Sequence, residues 1–226
     1  MGAHAGISVG PDGATHQALE DIAITRVLPN MTVIVPCDAE EARKATIAAG
    51  DINGPVYIRF GREKTPVMTT KSTPFKVGRA EVCVKGTDVT ILACGSLLYE
   101  ALVAAHLMRV GQTPSGKKIF AEVINVHTVK PLDTKTICAS AGRTGCVVTV
   151  EEHQINGGFG GAAAEALGRA CPVPMEFVGM QNTFGESGTT DELLTAYGMK
   201  AKNIIEAVEK VLVRHHGRAP KSVKHK

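Results

Sequence analysis

Short apolar runs alternate with segments of helical periodicity along most of this chain, and that alternation restricts the folds it can adopt. The runs Met31–Val35, Val89–Ala93 and Val147–Val150 are continuous, which is typical of strands covered on both faces. Strands that alternate with helices form parallel sheets with right-handed crossovers. The sequence therefore predicts an α/β fold built on doubly wound parallel sheets.

The periodicity also places the predicted elements. Strands are predicted at Met31–Val35, Pro55–Phe60, Ala80–Val84, Val89–Ala93, Ile119–Val126, Val147–Glu151 and Met175–Val178. Helices are predicted at Gln17–Leu28, from Asp38 to Gly50, and at Leu97–Val110, Asp133–Ala141, Gly160–Ala170, Thr190–Tyr197 and Ala201–Arg214. Asp38 is expected to cap its helix, with Glu41 as its capping-box partner.

A segment without periodicity, residues 61–74, divides the chain. It contains threonine, serine, lysine and two prolines, and we interpret it as belonging to a linker. The predicted organisation is a first unit at 1–66, a linker at 67–78, a second unit at 79–214 and a basic tail at 215–226. The first unit holds only two predicted strands, too few for a doubly wound sheet, whereas the second is a complete α/β domain.

The positive charge of the chain is concentrated at its C-terminus. The formal net charge is +3, from 25 basic and 22 acidic residues. Five basic residues and no acidic ones lie between positions 214 and 226, so the remainder carries 20 basic against 22 acidic residues. No aromatic residue interleaves the lysines, so a solvated terminus is favoured over a contact with nucleic acid or anionic lipid.

Cysteine usage and hydropathy indicate the compartment. The six cysteines form no C-x-x-C pair and no Cys/His cluster with zinc spacing. No apolar run approaches the roughly 20 residues that span a bilayer, and no basic region followed by an apolar stretch marks a signal peptide. We therefore predict a cytoplasmic protein with reduced thiols, without a membrane or nucleic-acid partner and without a metal site of its own.

The segment Gly2–Asp21 carries the strongest candidates for chemistry. Its glycine-broken loop holds His4, Asp12 and His16 immediately before a predicted helix. Such a loop can direct two imidazoles and a carboxylate into one cleft. A proline–aspartate–glycine run is also an ordinary turn signal, however, and an isolated loop histidine usually faces solvent. From the residues alone, these three side chains define a polar site and no more.

Two arginines, Arg59 and Arg62, lie at the carboxyl end of the predicted strand Pro55–Phe60. A guanidinium at this place suits a phosphate or carboxylate ligand, because its donor fork matches two oxygens. The alternative is a surface ion pair with Glu63 or Asp51. The position at the strand exit favours a ligand role for one of the two arginines.

Three further motifs leave their roles open. The glycines of 157–161 open a helix, where they either approach an anion or allow tight packing of helix on strand, and we favour packing. Glu151, Glu152 and His153 end a buried strand, where they either perform acid/base work or cap helices and form interface hydrogen bonds. Glu186, in a turn before a helix, is either a site group or a cap.

Taken together, several segments resemble the transketolase family. Residues 6–42 (GISVGPDGATHQALEDIAITRVLPNMTVIVPCDAEEA) and the run PVYIRFGRE resemble its pyrimidine-binding domain. The runs NVHTVKPLD, VEEHQINGGFGGAAAEAL and TFGESGTTDELLTAYGM resemble its C-terminal domain. The resemblance extends in order from Gly2 to about Val213, and it is strongest to the separate C-terminal subunit of split transketolases.

Two relatives of transketolase compete with it. Deoxyxylulose-phosphate synthase shares the D-G-x-T-H loop but usually continues it with G-A-F-D, where this chain has A-L-E-D. The β-subunits of 2-oxo-acid dehydrogenases share the architecture but lack the D-G-x-T-H-Q spelling. The resemblance therefore implies a partial pyrimidine-binding domain, followed by a complete transketolase C-terminal α/β domain.

The resemblance implies a reaction and roles for the candidate residues. Transketolases of the pentose phosphate pathway use thiamine diphosphate to transfer a two-carbon ketol unit from a ketose phosphate to an aldose phosphate. His16 would be the catalytic residue that exchanges protons with the donor sugar. Asp12 would hold a sugar hydroxyl, and His4 would bind a hydroxyl or the phosphate. Arg62 aligns best with the phosphate-binding arginine, and Arg59 is the second candidate for that role.

The matched segment leaves out other parts of the family's site. The glutamate that activates the cofactor ring, the aromatic residue that stacks on it and the domain that holds Mg²⁺ all lie upstream of it. We therefore expect thiamine diphosphate and Mg²⁺ to bind a site shared with an N-terminal transketolase subunit or a missing upstream segment, in a homodimer or heterotetramer.

We also expect the isolated chain to be inactive. One alternative is a non-catalytic assembly fragment with a loosely ordered N-terminal region. A second alternative is an enzyme similar to deoxyxylulose-phosphate synthase.

Overall fold

The structure, a computed structural model, describes residues 1–218 of the chain. Its strands are β1 (Thr32–Ile34), β2 (Val56–Ile58), β3 (Glu81–Val84), β4 (Val89–Ala93), β5 (Ala121–Asn125), β6 (Thr128–Lys130), β7 (Val147–Gln154) and β8 (Met175–Met180). Its α-helices are α1 (Asp21–Arg26), α2 (Ala39–Ala49), α3 (Leu98–Arg109), α4 (Thr134–Thr144), α5 (Phe159–Ala170), α6 (Thr190–Ala196) and α7 (Ala201–Arg218). Two 3-10 helices, Ile7–Asp12 and Gly95–Leu97, complete the regular structure of the described residues.

A five-stranded sheet with the order β3-β5-β4-β7-β8 lies at the centre of the second unit. Four of its strands run parallel, and every residue of β4 is buried. Ile91 pairs with Val123 and Val148 on its two sides, and these side chains share one apolar cluster with α3 and α7. Leu92 and Ile124 belong to a second cluster with α4 and α5. The doubly covered parallel sheet that the sequence predicts is therefore confirmed.

Strand β1 lies at the centre of a second sheet, with the order β2-β1-β6. It pairs in parallel with β2 and antiparallel with β6, and all three of its residues are buried. Strand β6 belongs to the second unit and follows directly after β5. The second unit therefore supplies a strand to the sheet of the first, which argues against the expectation of a loosely ordered N-terminal region.

Two elements escape the sequence prediction, and one strand differs in direction. Strand β6 and the 3-10 helix Ile7–Asp12 are too short, or too rich in glycine and proline, to show a period. Strand β3 pairs antiparallel with β5 at the sheet edge. Mixed sheets often carry such an antiparallel edge strand beside parallel ones.

The ends of two helices also differ from the prediction. Helix α1 begins at Asp21 rather than at Gln17, because Ala18 forms a bridge with Ala5. Helix α7 continues to Arg218, so residues 215–218 of the predicted basic tail are helical. The rest of the predicted tail, residues 219–226, lies outside the described residues.

Asp38 caps helix α2 as predicted, and it also fastens the segment after β2. Its Oδ1 accepts a hydrogen bond from the Glu41 N–H at 2.8 Å. Glu41 does not complete a standard capping box, since its Oε2 accepts from the Cys37 N–H at 2.7 Å, one residue before the cap. The Asp38 Oδ2 accepts from the N–H groups of Met68 and Thr69 at 2.7 and 2.6 Å.

Candidate functional site

The N-terminal loop is attached to strand β2 and to the start of α1. The Gly2 N–H donates to the Ile58 carbonyl at 2.8 Å, and the Phe60 N–H donates back to the Gly2 carbonyl at 2.8 Å. Ala5 and Ala18 form a parallel bridge further along. The loop therefore leaves the open side of β2, passes through the 3-10 helix and returns at α1.

His4 and His16 come together where the two ends of this loop meet. Their ring centroids lie 6.5 Å apart, with an interplanar angle of 84°. Both residues are exposed, and the Nδ1 of His16 shares a 3.0 Å hydrogen bond with the Thr15 hydroxyl. The backbone φ of His4 is +58°, a conformation that is uncommon for non-glycine residues and frequent at functional sites. The loop thus offers two imidazoles to solvent at neighbouring positions.

Asp12 of this loop pairs with Arg62, which lies in the segment after β2. Their carboxylate and guanidinium lie 2.7 Å apart, with 32% and 38% of the side chains exposed. The same guanidinium donates to the Val9 carbonyl at 3.4 Å and lies 3.9 Å from the Glu63 carboxylate. The 3-10 helix therefore places the carboxylate beside the arginine that follows β2.

Arg59 lies in a different environment, since its side chain is only 6% exposed. Its Nε donates to both carboxylate oxygens of Asp21, at 2.8 and 3.1 Å. Its Nη2 donates to the carbonyls of Ala18 and Glu152, each at 2.9 Å. Arg59 therefore joins β2 to α1 and to the end of β7. This position favours Arg62 over Arg59 as the arginine that meets a ligand.

Burial and ion pairing shift the pKa of Asp21 in opposite directions. Burial raises the pKa of this carboxyl, but the charge and hydrogen bonds of Arg59 outweigh it, with help from the Tyr57 hydroxyl at 2.8 Å. The net result is a pKa below the ordinary aspartate value. The ionised carboxylate therefore belongs to the folded state as the partner of a buried guanidinium.

The side chain of Glu151 lies at the start of α5, where its carboxyl group meets the first backbone N–H groups of the helix. Its carboxylate is buried and accepts hydrogen bonds from the N–H groups of Phe159 and Gly160, at 2.6 and 2.8 Å. Burial raises the pKa of Glu151 to about 8, although both of these N–H donors favour the ionised form. A Cβ at Gly158 would lie 2.3 Å from this carboxylate. The glycines of 157–161 therefore allow close packing around a buried carboxyl group that belongs to the chain itself.

Glu152 and His153 also hold other segments in place. Both are buried. The Oε2 of Glu152 accepts from the Ser8 N–H at 3.0 Å, and its Oε1 accepts from the Ser96 hydroxyl. The Nε2 of His153 accepts from the Ala23 N–H at 3.3 Å, and its Nδ1 bonds to the Gln154 carbonyl at 2.7 Å. Burial lowers the pKa of His153, so the ring is neutral. The capping and interface alternative for these residues is thus the one the contacts support.

Gln17 is a residue of this region that sequence reasoning missed. Its buried side chain donates to the Ile7 carbonyl at 3.2 Å and to the Glu186 carbonyl at 2.9 Å. Glu186 is exposed, and its side chain contacts the Tyr197 hydroxyl at 3.4 Å, whereas Thr189 caps α6. The one sequence signal for this role of Gln17 is its position directly after His16 in the loop motif.

The described residues were also compared with the requirements of a metal site and of a membrane-spanning helix. Within residues 1–218, no group of three or more His, Cys, Asp or Glu side chains is arranged to hold a metal ion. In the same part of the chain, no helix is both long and apolar enough to cross a bilayer. All six cysteines are unpaired in the structure.

Comparison with known proteins adds two family matches. Residues 78–204 match the family described as transketolase, C-terminal domain, and residues 1–68 match the family described as transketolase, pyrimidine binding domain. A 6-deoxy-6-sulfo-D-fructose transketolase subunit, SqwH, from a Clostridium species is 42% identical over 218 residues, which is 96% of this chain and 66% of the relative. An apulose-4-phosphate transketolase subunit of Phocaeicola vulgatus is 36% identical, over 90% of this chain and 64% of the relative.

A solved structure shares the fold. It is described as a split gene transketolase, inactive β4 tetramer, and it superposes with a TM-score of 0.85 at 42% identity. The alignment covers 94% of this chain and 66% of the solved chain. This chain therefore spans about two thirds of the length of these three relatives.

The fold consists of two joined α/β units, and the histidine-bearing loop lies at the edge of β2. Both units match, in order, families of one enzyme. The chain belongs to the transketolase family, and its relatives include subunits of split transketolases. The family resemblance and the fold class that the sequence predicts are thus confirmed.

Proposed function

We propose that this chain supplies the sugar-binding and proton-transfer residues of a transketolase, which transfers a two-carbon ketol unit between sugar phosphates. One observation carries the proposal: a single loop presents the His4–His16 pair and also Asp12, which is paired with Arg62 of the segment after β2. Imidazole exchanges protons near neutral pH, a carboxylate accepts hydrogen bonds from hydroxyls, and guanidinium binds phosphate oxygens. This set of groups suits a phosphorylated polyol.

Each residue of the loop then has a role at a stated part of the sugar. His16 takes and returns the proton of the donor hydroxyl beside the bond that breaks, as a general base and acid. Asp12 accepts from a neighbouring hydroxyl and so fixes the stereochemistry of the sugar that binds. His4 donates to a hydroxyl or to the phosphate. The guanidinium of Arg62 has five N–H donors, so it can keep Asp12 and still bind a phosphate.

The described residues fit the sugar end of such a site and do not fit its metal end. Within residues 1–218 no group of three or more His, Cys, Asp or Glu side chains is arranged to hold a metal ion, whereas the two loop histidines and Arg62 are exposed. The chemistry that thiamine diphosphate supplies, when bound, is a nucleophilic carbon that carries the ketol unit. We therefore assign Mg²⁺ and diphosphate binding to a segment of the assembly outside this chain.

The assembly is the second part of the proposal. An N-terminal transketolase subunit or an upstream segment completes the site, and copies of this chain associate through both of their units. Two observations support this: the relatives are named as subunits, and the similar solved structure is described as an inactive tetramer of β chains. The isolated chain is accordingly inactive, and its place in the cytoplasm remains a prediction.

Reconstitution tests the proposed function. The purified chain is titrated with thiamine diphosphate and Mg²⁺, alone and with an N-terminal transketolase subunit, and ketol transfer between sugar phosphates is followed. We expect transfer only in the combination. Transfer to an aldehyde without donor ketose phosphate, as in deoxyxylulose-phosphate synthesis from pyruvate, or assembly without any transfer, would contradict the proposal.

His16→Ala tests the central residue in the reconstituted enzyme. The kcat should fall by about 10²–10⁴-fold, which is the usual contribution of a positioned acid or base. The matched control is His106→Ala, since His106 is also exposed but lies in the last turn of α3. Near-normal turnover by the His16 variant would remove this residue from the mechanism.

A further inference from the structure

The end of strand β7 holds the loop of the candidate site at its midpoint. Ser8, in the first turn of the 3-10 helix, donates its N–H to the Oε2 of Glu152 at 3.0 Å. Only 4% of Glu152 is exposed, so this hydrogen bond is shielded from water. The other carboxylate oxygen accepts from the hydroxyl of Ser96, which lies in the 3-10 helix after β4. One buried carboxylate thus links two strands of the second unit to the loop.

The backbone approaches Glu152 so closely that only glycine fits. Gly6 has a φ of +88°, and a Cβ on this residue would lie 2.4 Å from the Oε2 of Glu152. Such a contact is far inside the distance between non-bonded atoms. The loop therefore lies directly on the carboxylate, and the glycine before the 3-10 helix makes that approach possible.

A second contact holds the same part of the loop from the opposite direction. The Thr190 hydroxyl donates to the Ser8 carbonyl at 3.0 Å. The Gln17 side chain joins the adjacent Ile7 carbonyl to the backbone of Glu186. Both polar groups of the Ser8 backbone are therefore occupied by side chains of the second unit, and its position along the loop is fixed.

The candidate sugar-binding residues lie on both sides of this fixed point. His4 precedes Ser8 by four positions, Asp12 follows it by four, and His16 lies four further on. His4 lies before the 3-10 helix and Asp12 at its end, with a kink at Gly10 between Ser8 and Asp12, so a displacement of Ser8 is expected to change the separation of His4 and Asp12. Positioning errors of about 1 Å can cost about 10²-fold in rate, so a carboxylate that fixes Ser8 is placed where it can affect the geometry of the flanking side chains.

We propose that Glu152 is a positioning residue, through which the C-terminal domain sets the geometry of the sugar-binding loop. The domain thereby acquires a role in substrate recognition beyond assembly. The positioning of the loop rests on contacts alone, whereas its consequence for sugars rests on the proposed function. Two measurements separate the two statements.

Hydrogen exchange of the full 226-residue chain tests the contact. Glu152→Ala should increase the exchange rate of the Ser8 amide by about 10-fold or more, since its acceptor is lost. Glu152→Gln should restore protection, because the amide oxygen accepts from Ser8 and the NH₂ donates to Ser96. Ser96→Ala keeps the carboxylate of Glu152 and removes only one of its hydrogen-bond donors. The exchange rate of the Ser8 amide should therefore increase less, by about 3-fold.

The matched control is Glu100→Ala. Glu100 is also a buried carboxylate that accepts from a backbone N–H, that of Ala201 at 2.8 Å, but it serves α7 instead of the loop. Its variant should leave the exchange of residues 6–13 unchanged. Unchanged exchange of Ser8 in both the Glu152→Ala and Ser96→Ala variants would overturn the proposal, as would an equal increase in the Glu100 variant.

Kinetics of the reconstituted enzyme test the consequence for sugars. Glu152→Ala should raise the KM for the donor sugar by about 10-fold, the scale of one lost hydrogen bond, and Glu152→Gln should return it towards normal. An unchanged KM together with faster Ser8 exchange would overturn the role in recognition. A reconstituted wild-type enzyme without ketol transfer would refute the proposed function, and the exchange result would still decide whether Glu152 holds the loop.

Discussion

The buried ion pair between Arg59 and Asp21 allows a quantitative prediction of stability. The two side chains are 6% and 10% exposed, and Tyr57 donates to the same carboxylate. Removing one partner of a buried pair typically costs about 3–5 kcal/mol, because the other charge stays buried and uncompensated. In the Asp21→Ala variant Arg59 keeps two backbone carbonyl acceptors, so we expect the lower end, about 3 kcal/mol.

The Arg59→Met variant should behave differently with pH. In this variant the hydroxyl of Tyr57 is the one side-chain partner that remains to the buried carboxyl of Asp21. The pKa of this carboxyl is therefore expected to rise above the ordinary aspartate value. In the wild type the folded-state pKa of Asp21 is depressed. The contribution of the pair is therefore complete above the ordinary aspartate pKa of about 3.9 and is lost as the pH falls below it. The variant should instead lose stability as the pH rises through that region.

Urea unfolding, followed by circular dichroism between pH 3 and 8, measures both effects. A double variant, Asp21→Ala with Arg59→Met, should lose less than the sum of the single losses, with a coupling of about 2 kcal/mol. The control pair is Arg26–Glu165, whose glutamate side chain is 56% exposed, so Glu165→Ala should cost under about 1 kcal/mol. A loss below about 1 kcal/mol for Asp21→Ala would refute the reasoning from charge burial.

Two further predictions concern the core of the second unit. The folded-state pKa of Glu151 is raised to about 8, so ionising this carboxyl opposes folding and the wild type should lose stability as the pH rises from about 4.5 to 8. Glu151→Gln should make this loss smaller. Urea unfolding midpoints across that pH range measure the loss, and the same dependence on pH in wild type and variant would refute the prediction. Phe159→Ala, at a fully buried side chain, should cost about 3–5 kcal/mol through the cavity it leaves, and a loss below about 1 kcal/mol in urea unfolding would contradict the packing described.

Much of the fold follows from periodicity. The continuous run Val89–Ala93 is β4, buried along its whole length, and the helices α2 to α5 begin within two residues of their predicted starts. Strand β6 could not be predicted, because three residues carry no period and its partner β1 lies about 100 positions away. Long-range pairing of this kind depends on the whole fold rather than on local sequence.

The residues of the candidate site were predicted from the motif resemblance rather than from periodicity. The motif resemblance identified His4, His16, Asp12 and Arg62, and the structure brings them together as two pairs. Whether they bind a sugar remains a prediction. Arg59 shows the limit of sequence reasoning, because its partner Asp21 lies 38 residues away and nothing local distinguishes a buried guanidinium from an exposed one.

Strand β6 determines how this protein can be divided or recombined. A cut at the boundary between the two family matches, near residue 70, would strip β1 of one neighbour and leave Thr128–Lys130 with nothing to pair against. An unpaired edge of this kind invites aggregation. Chimaeras that exchange sugar specificity between homologues should therefore transplant residues 1–68 together with the strand Thr128–Lys130, as one inseparable module.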